Sequence, residues 1–138
     1  MTILEMALSM AAGSAAARSM VERGSQQADG RPTVIACDFD GTLCHSDYPR
    51  ILEANASLIR AVQQMQRMGY VFILWTCREK EALAEALDWL DRQGVHDLVV
   101  NDNCEQIKEL FGGYNSRKVF ADEYWDDKAV KAVWGVPQ

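Results

Sequence analysis

Thr33-Val-Ile-Ala-Cys37 is an almost unbroken apolar run, and it stops at Asp38. A strand that is apolar at successive positions has no face to give to water. It must be covered on both sides, as happens in a parallel sheet held between helices. Similar runs follow at Tyr70–Trp75, at Asp97–Val100 and at Val119–Trp125. Helical spacing lies between them. From Arg50 to Met68, residues Ile51, Leu52, Leu58, Ile59, Val62 and Met65 share one broad face, and Gly69 marks the end. From Glu79 to Gln93 the stripe is Leu83, Ala86, Leu87 and Leu90, with Gly94 as the stop. Residues 101–116 read as irregular with a turn or two of helix over Glu105–Leu110, and Lys128–Trp134 as a short closing helix. This alternation predicts an α/β fold: a single Rossmann-like three-layer domain with a small parallel sheet and right-handed crossovers. In such sheets the functional site lies at the carboxyl ends of the strands.

The 138 residues leave room for one such domain, over residues 31–138. Residues 1–30 read as a flexible or weakly helical tail, rich in Ala, Met and Ser. Leu4, Leu8 and Ala11 or Ala12 fall on one helix face, which offers a way to dock. The apolar run Met6–Ala17 is preceded by Glu5 rather than by positive charge and is too short to span a bilayer, so neither export nor a membrane partner is expected. A net charge of −6 disfavours long nucleic acid, whose binding depends on Lys and Arg. Cys37, Cys44, Cys77 and Cys104 have no CxxC spacing and no accompanying His pair. They read as reduced thiols of a cytoplasmic protein rather than zinc ligands.

The strand ends carry chemistry. Asp38-Phe-Asp40-Gly41-Thr42-Leu43 follows the first run and Thr76-Cys77-Arg78 the second; Lys118 precedes the fourth and Asp126-Asp127 close it. This set suits phosphoryl transfer. One carboxylate, Asp38, can attack phosphorus and hold it covalently. Asp40 can protonate the leaving oxygen and then deprotonate water, and a turn at Gly41 lets the chain aim the two acids separately. Crowded carboxylates call for a hard cation such as Mg²⁺, with Asp38, Asp40, Asp126 and Asp127 as the candidate ligands. Lys118 would neutralise the phosphate and Thr76 would donate to one of its oxygens. Gly41, Thr42, Cys77 and Arg78 complete the set placed to grip substrate.

Asp38-Phe-Asp40-Gly41-Thr42-Leu43 resembles the first signature motif of the haloacid-dehalogenase superfamily, DxDG[TV]. Leu74-Trp-Thr76 resembles the second motif, Lys118 the third and Asp126-Asp127 the acidic fourth, in that order over about Thr33 to Val133. The resemblance implies a Mg²⁺-dependent phosphatase. Asp38 would be its nucleophile, Asp40 its acid/base, and Asp38 with the Asp40 backbone carbonyl would bind the metal. Only eight residues separate Asp40 from Pro49, so the likeness is to the capless branch. An open site of that kind implies a phosphorylated small molecule or macromolecule end as substrate, or a homo-oligomer that covers the site. Lys118 stands only eight residues before Asp126, a shorter gap than in many members, which leaves Asp122 with Asp126 as a second reading of the acidic motif. A receiver-like module that stores phosphate on Asp, or a silent binding domain, are the alternatives to an enzyme.

Overall fold

The fully apolar run forms β1 (Val34–Cys37), every residue of which is buried. In the computed structural model, which describes residues 1–135, β1 lies inside a parallel sheet. Its neighbours are β4 (Val71–Leu74) on one side and β6 (Glu123–Trp125) on the other, and β5 (Val99–Val100) sits beyond β4. The order is therefore β5-β4-β1-β6. The register pairs Val34 with Val71 and Cys37 with Leu74, Cys37 with Trp125, and Leu74 with Val100. All four strands end at one edge, where their loops meet.

Alternation along the strands sorts the core into two layers. Ile35, Cys37, Phe72, Leu74 and Trp125 face one cluster, filled by α3 (Ala56–Met68) and α4 (Lys80–Arg92) together with α1 (Ile3–Ala11) and α2 (Ala15–Arg23). Val34, Ala36 and Ile73 face the other, closed by Ile107 of α5 (Glu105–Leu110), Cys104, Val119 and Ala121. The molecule is thus the expected α/β, Rossmann-like domain with helices on both faces of a small sheet.

The structure redraws four local expectations. Residues 50–54 do not begin a helix. They form β3 (Arg50–Ala54), which pairs antiparallel with β2 (Cys44–Asp47) in a hairpin between β1 and α3. The helix starts at Ala56, where Asn55 caps it by accepting a hydrogen bond from the Leu58 N–H. Of the two expectations for the first thirty residues, flexible or weakly helical, the structure takes the helical one and docks both helices on the domain. Thr2 and Glu5 make a capping box, Ser14 caps α2, and Ala7, Met10, Ala17 and Val21 are buried in the main core. Long-range bonds hold them: the Glu123 carboxylate accepts from the N–H groups of Ile3 (2.6 Å) and Leu4 (3.2 Å), and Tyr70 Oη donates to the Val21 carbonyl (2.7 Å). β6 is only three residues long. Before it, Asn103 Oδ1 accepts from the Phe120 N–H and Tyr124 Oη donates to the Val119 carbonyl, so side chains take the place of a ladder. Lys128–Trp134 is not helical, and Val130, Val133 and Trp134 are exposed, with no apolar face to bury against the domain. Among the described residues no helix is long and apolar enough to cross a membrane.

Candidate active site

Three carboxylates meet where β1 and β6 end. The Asp38 N–H donates to the Trp125 carbonyl at 2.9 Å, which extends the ladder by one step and brings Asp126 and Asp127 beside Asp38. One oxygen from each of Asp38, Asp126 and Asp127 lies within 4.8 Å of the others. Asp38 is half-buried, and its carboxyl is pushed up to about 6. Burial is the main cause; the charges of Asp126, Asp127 and Asp40 add to it, against a hydrogen bond from the Phe39 N–H. The cations nearby are sparse. Lys128 Nζ stands 3.6 Å from Asp127 on an exposed side chain. Gly41 lies against this cluster with φ +84°, and a β-carbon there would collide with the Asp127 carboxylate. The left-handed backbone at this position favours glycine, and any side chain there would have to push the Asp127 carboxylate aside.

Asp40 is treated differently. Its Oδ1 accepts from Ser46 Oγ (2.6 Å) and from Arg78 Nη2 (2.8 Å), and its Oδ2 from Arg78 Nε (2.9 Å). Burial alone would raise the Asp40 carboxyl, but the hydrogen bonds from Arg78 and Ser46 outweigh it and hold the group below the usual carboxylate range. The Asp40 carboxylate is not part of the three-acid cluster, which leaves only its backbone carbonyl for a metal. Arg78 is not a substrate contact either. Its side chain is 0% exposed, against 30% for Asp40, and it also donates to the carbonyls of Ala82 and Pro49. Its guanidinium lies 5.0 Å from the ring centres of both Phe39 and Tyr48.

Thr76 follows β4 at the same edge. Its Oγ1 accepts from the Arg78 N–H at 3.0 Å. Its backbone is clamped by Asn101, which accepts from the Thr76 N–H (2.8 Å) and donates to the Thr76 carbonyl (2.9 Å). Asn101 follows β5 with φ +48°, a left-handed conformation that Asn tolerates. Cys77 is exposed beside Thr76. The Thr42 hydroxyl is buried without a hydrogen-bond partner. Beside it a cleft of about 390 Å³ is lined by Gly41, Thr42, His45, Glu53, Asn55 and Ser57.

Lys118 is exposed, with its Nζ 5.7 Å from the Tyr124 ring centre; it makes no ion pair with Asp38, Asp126 or Asp127. Asp122 sits at the opposite edge of the sheet, where it binds Arg31 and accepts from the Val34 N–H, so it does not join the cluster. Sequence reading missed Ser46, Asn101 and Lys128. A polar residue directly after the β5 run was a usable signal for Asn101, by the same logic that found Thr76. Nothing local marked Ser46, because its partner is reached only through the hairpin.

No family model and no curated protein matches the chain. Among solved structures it is similar to a conserved protein coded by a locus of Bacteroides thetaiotaomicron, at 35% identity and a TM-score of 0.61, over 76% of this chain and 81% of that one.

Proposed function

The chain belongs to the family of that conserved Bacteroides thetaiotaomicron protein, and from its own strand-end residues we propose that it is a Mg²⁺-dependent phosphohydrolase of the haloacid-dehalogenase superfamily. The observation that carries this reading is the meeting of Asp38, Asp126 and Asp127 at the ends of two adjacent parallel strands. Their donors are carboxylate oxygens alone, with neither thiol nor imidazole among them, and that set fits a hard divalent cation. These residues would hold Mg²⁺, which supplies positive charge beside the incoming phosphate.

Asp38 is the nucleophile in this reading. One of its oxygens forms a bond to phosphorus as the ester P–O bond breaks. The leaving oxygen takes a proton from Asp40, which Arg78 and Ser46 hold ionised at rest and which must therefore take up that proton as the negatively charged phosphate ester enters. Water then attacks the phosphorus of the aspartyl-phosphate and gives its proton to Asp40. The bond to Asp38 breaks, and inorganic phosphate leaves. Thr76, fixed by Asn101, offers its hydroxyl to a phosphate oxygen. The exposed loops at this edge suit a phosphorylated small molecule or the end of a larger one.

Phosphate release from an aryl phosphate, with Mg²⁺ and with chelator, tests the proposal beside Asp38→Asn. Turnover that needs Mg²⁺ and disappears in the variant is the expected result. Turnover that survives in Asp38→Asn overturns the nucleophile assignment. A stable phosphoprotein that forms without turnover would favour a phosphate-storing module.

A further inference from the structure

Arg78 is the largest fully buried side chain among the described residues, and it carries a charge. A guanidinium taken out of water is costly unless its donors are satisfied. Here every group around it belongs to one of two things: Asp40, or the elements that frame it. Nε and Nη2 form a two-point fork on Asp40. Nη2 also reaches the Pro49 carbonyl and Nη1 the Ala82 carbonyl. The Arg78 Cζ lies 5.0 Å from the ring centres of both Phe39 of the Asp38–Asp40 loop and Tyr48 at the tip of the β2–β3 hairpin. Ser46, on β2 of the same hairpin, donates to Asp40 Oδ1. Oδ1 thus accepts two hydrogen bonds and Oδ2 only one, which leaves Oδ2 with an open acceptor place.

We infer that Arg78 is a positioning residue that, with Ser46, fixes the Asp40 carboxylate so that Oδ2 faces the reacting atoms, and that the β2–β3 hairpin is locked to the acid/base group through this guanidinium. The inference rests on the phosphohydrolase reading for its catalytic half. Arg78 itself cannot touch substrate, since its side chain is fully covered. A lysine in its place keeps the charge but not the planar fork or the stacking.

The test compares the Mg²⁺-loaded wild type with Arg78→Lys on a series of phosphate esters, from a dinitrophenyl ester, whose leaving group needs no proton, to phenyl and ethyl esters, which do. Misplacing the acid should lower kcat/KM, which reports only the steps up to formation of the aspartyl-phosphate, by about tenfold or more for the phenyl and ethyl esters and by less than about threefold for the dinitrophenyl ester. Equal losses of kcat/KM on all esters overturn the positioning role. Ser46→Ala, at a half-exposed position, gives the same pattern at about threefold and carries the test if Arg78→Lys does not fold. Amide hydrogen exchange of metal-free protein reads the lock separately. Residues 44–54 should exchange faster in both Arg78→Lys and Asp40→Asn, and at the wild-type rate in Asp38→Asn. If wild type hydrolyses no ester, the phosphohydrolase reading falls, and the exchange result alone decides: unchanged exchange in Arg78→Lys and Asp40→Asn then overturns the lock.

Discussion

Asp122 and Asp126 lie on either side of β6, four residues apart, and they meet opposite surroundings. At the amino edge of the sheet, Asp122 accepts from Arg31 at 2.8 and 3.0 Å and from the Val34 N–H at 2.8 Å. Arg31 in turn stacks on Phe120, 5.0 Å from the ring centre. The charges there are matched and tie the segment leading into β1 to the loop before β6. At the carboxyl edge, Asp126 stands with Asp38 and Asp127, and the cation beside them is the exposed Lys128. One edge of the sheet holds the fold together. The other stores repulsion that the rest of the fold must contain, as sites that bind a cation or anionic substrate do.

Exchanging one acid at each edge is the sharpest way to break this comparison. Asp38→Asn should remove turnover by at least about a thousandfold, because the proposed nucleophile is lost. In chelator it should leave the unfolding midpoint unchanged or raise it, because a like charge has gone. Asp122→Ala should do the reverse. It leaves the Arg31 guanidinium and the Val34 N–H without their acceptor, a loss of about 2 kcal/mol read by urea unfolding. Its KM and kcat at a temperature where it is folded should match wild type. If Asp38→Asn proves as destabilising as Asp122→Ala, the acidic cluster is part of the scaffold and the contrast fails.

How much of this contrast was legible in the sequence follows from how local each signal is. The four strand runs and the acids at their ends are readable because burial on both faces leaves a continuous apolar stretch, and the polar residue after it marks the edge. The β2–β3 hairpin is not readable in that way. Ile51 and Leu52 sit at spacings that suit the following helix, and the hairpin forms only because Cys44 and Asp47 find partners at Ala54 and Arg50. Asn55 was the available cap signal that should have started the helix at Ala56. At the chain's start the Thr2-x-x-Glu5 capping box was equally visible, but the anchor that keeps α1 in place, Glu123, is more than a hundred residues away. Arg78 reads as a ligand for phosphate because it is a cation beside Thr76; only the fold reveals that Asp40 consumes it. Lys118 likewise has the charge that the third motif requires, yet it rests on Tyr124.

The smallest expected effect is also the one that sets the two edges against each other in a single protein, through pH. Asp38 has a folded value raised to about 6, above the ordinary carboxylate value of about 3.9. The folded state then binds the proton more readily than the unfolded chain, so in chelator this group adds stability as pH falls from above 6 toward 4. Asp122 has the opposite sign. Burial raises its carboxyl, but Arg31 and the Val34 N–H lower it further, to below the usual range. Its contribution is complete above about pH 4 and is lost as pH drops through its depressed folded value. Solvent screens the half-buried Asp38, which keeps its gain to about 1 kcal/mol or less. The measurement is the difference in unfolding free energy between wild type and each variant across pH 3 to 7. Subtracting Asp38→Asn should show wild type gaining between about pH 6 and 4, and subtracting Asp122→Asn should show wild type losing its advantage below about pH 4. Saturating Mg²⁺ should abolish the first slope and leave the second, because a cation held by the carboxyl edge favours ionised Asp38 and has no reach to the amino edge. A second slope that also responds to Mg²⁺ would mean that the two edges are coupled through β6, and the division of the sheet into a structural edge and a chemical edge would have to be given up.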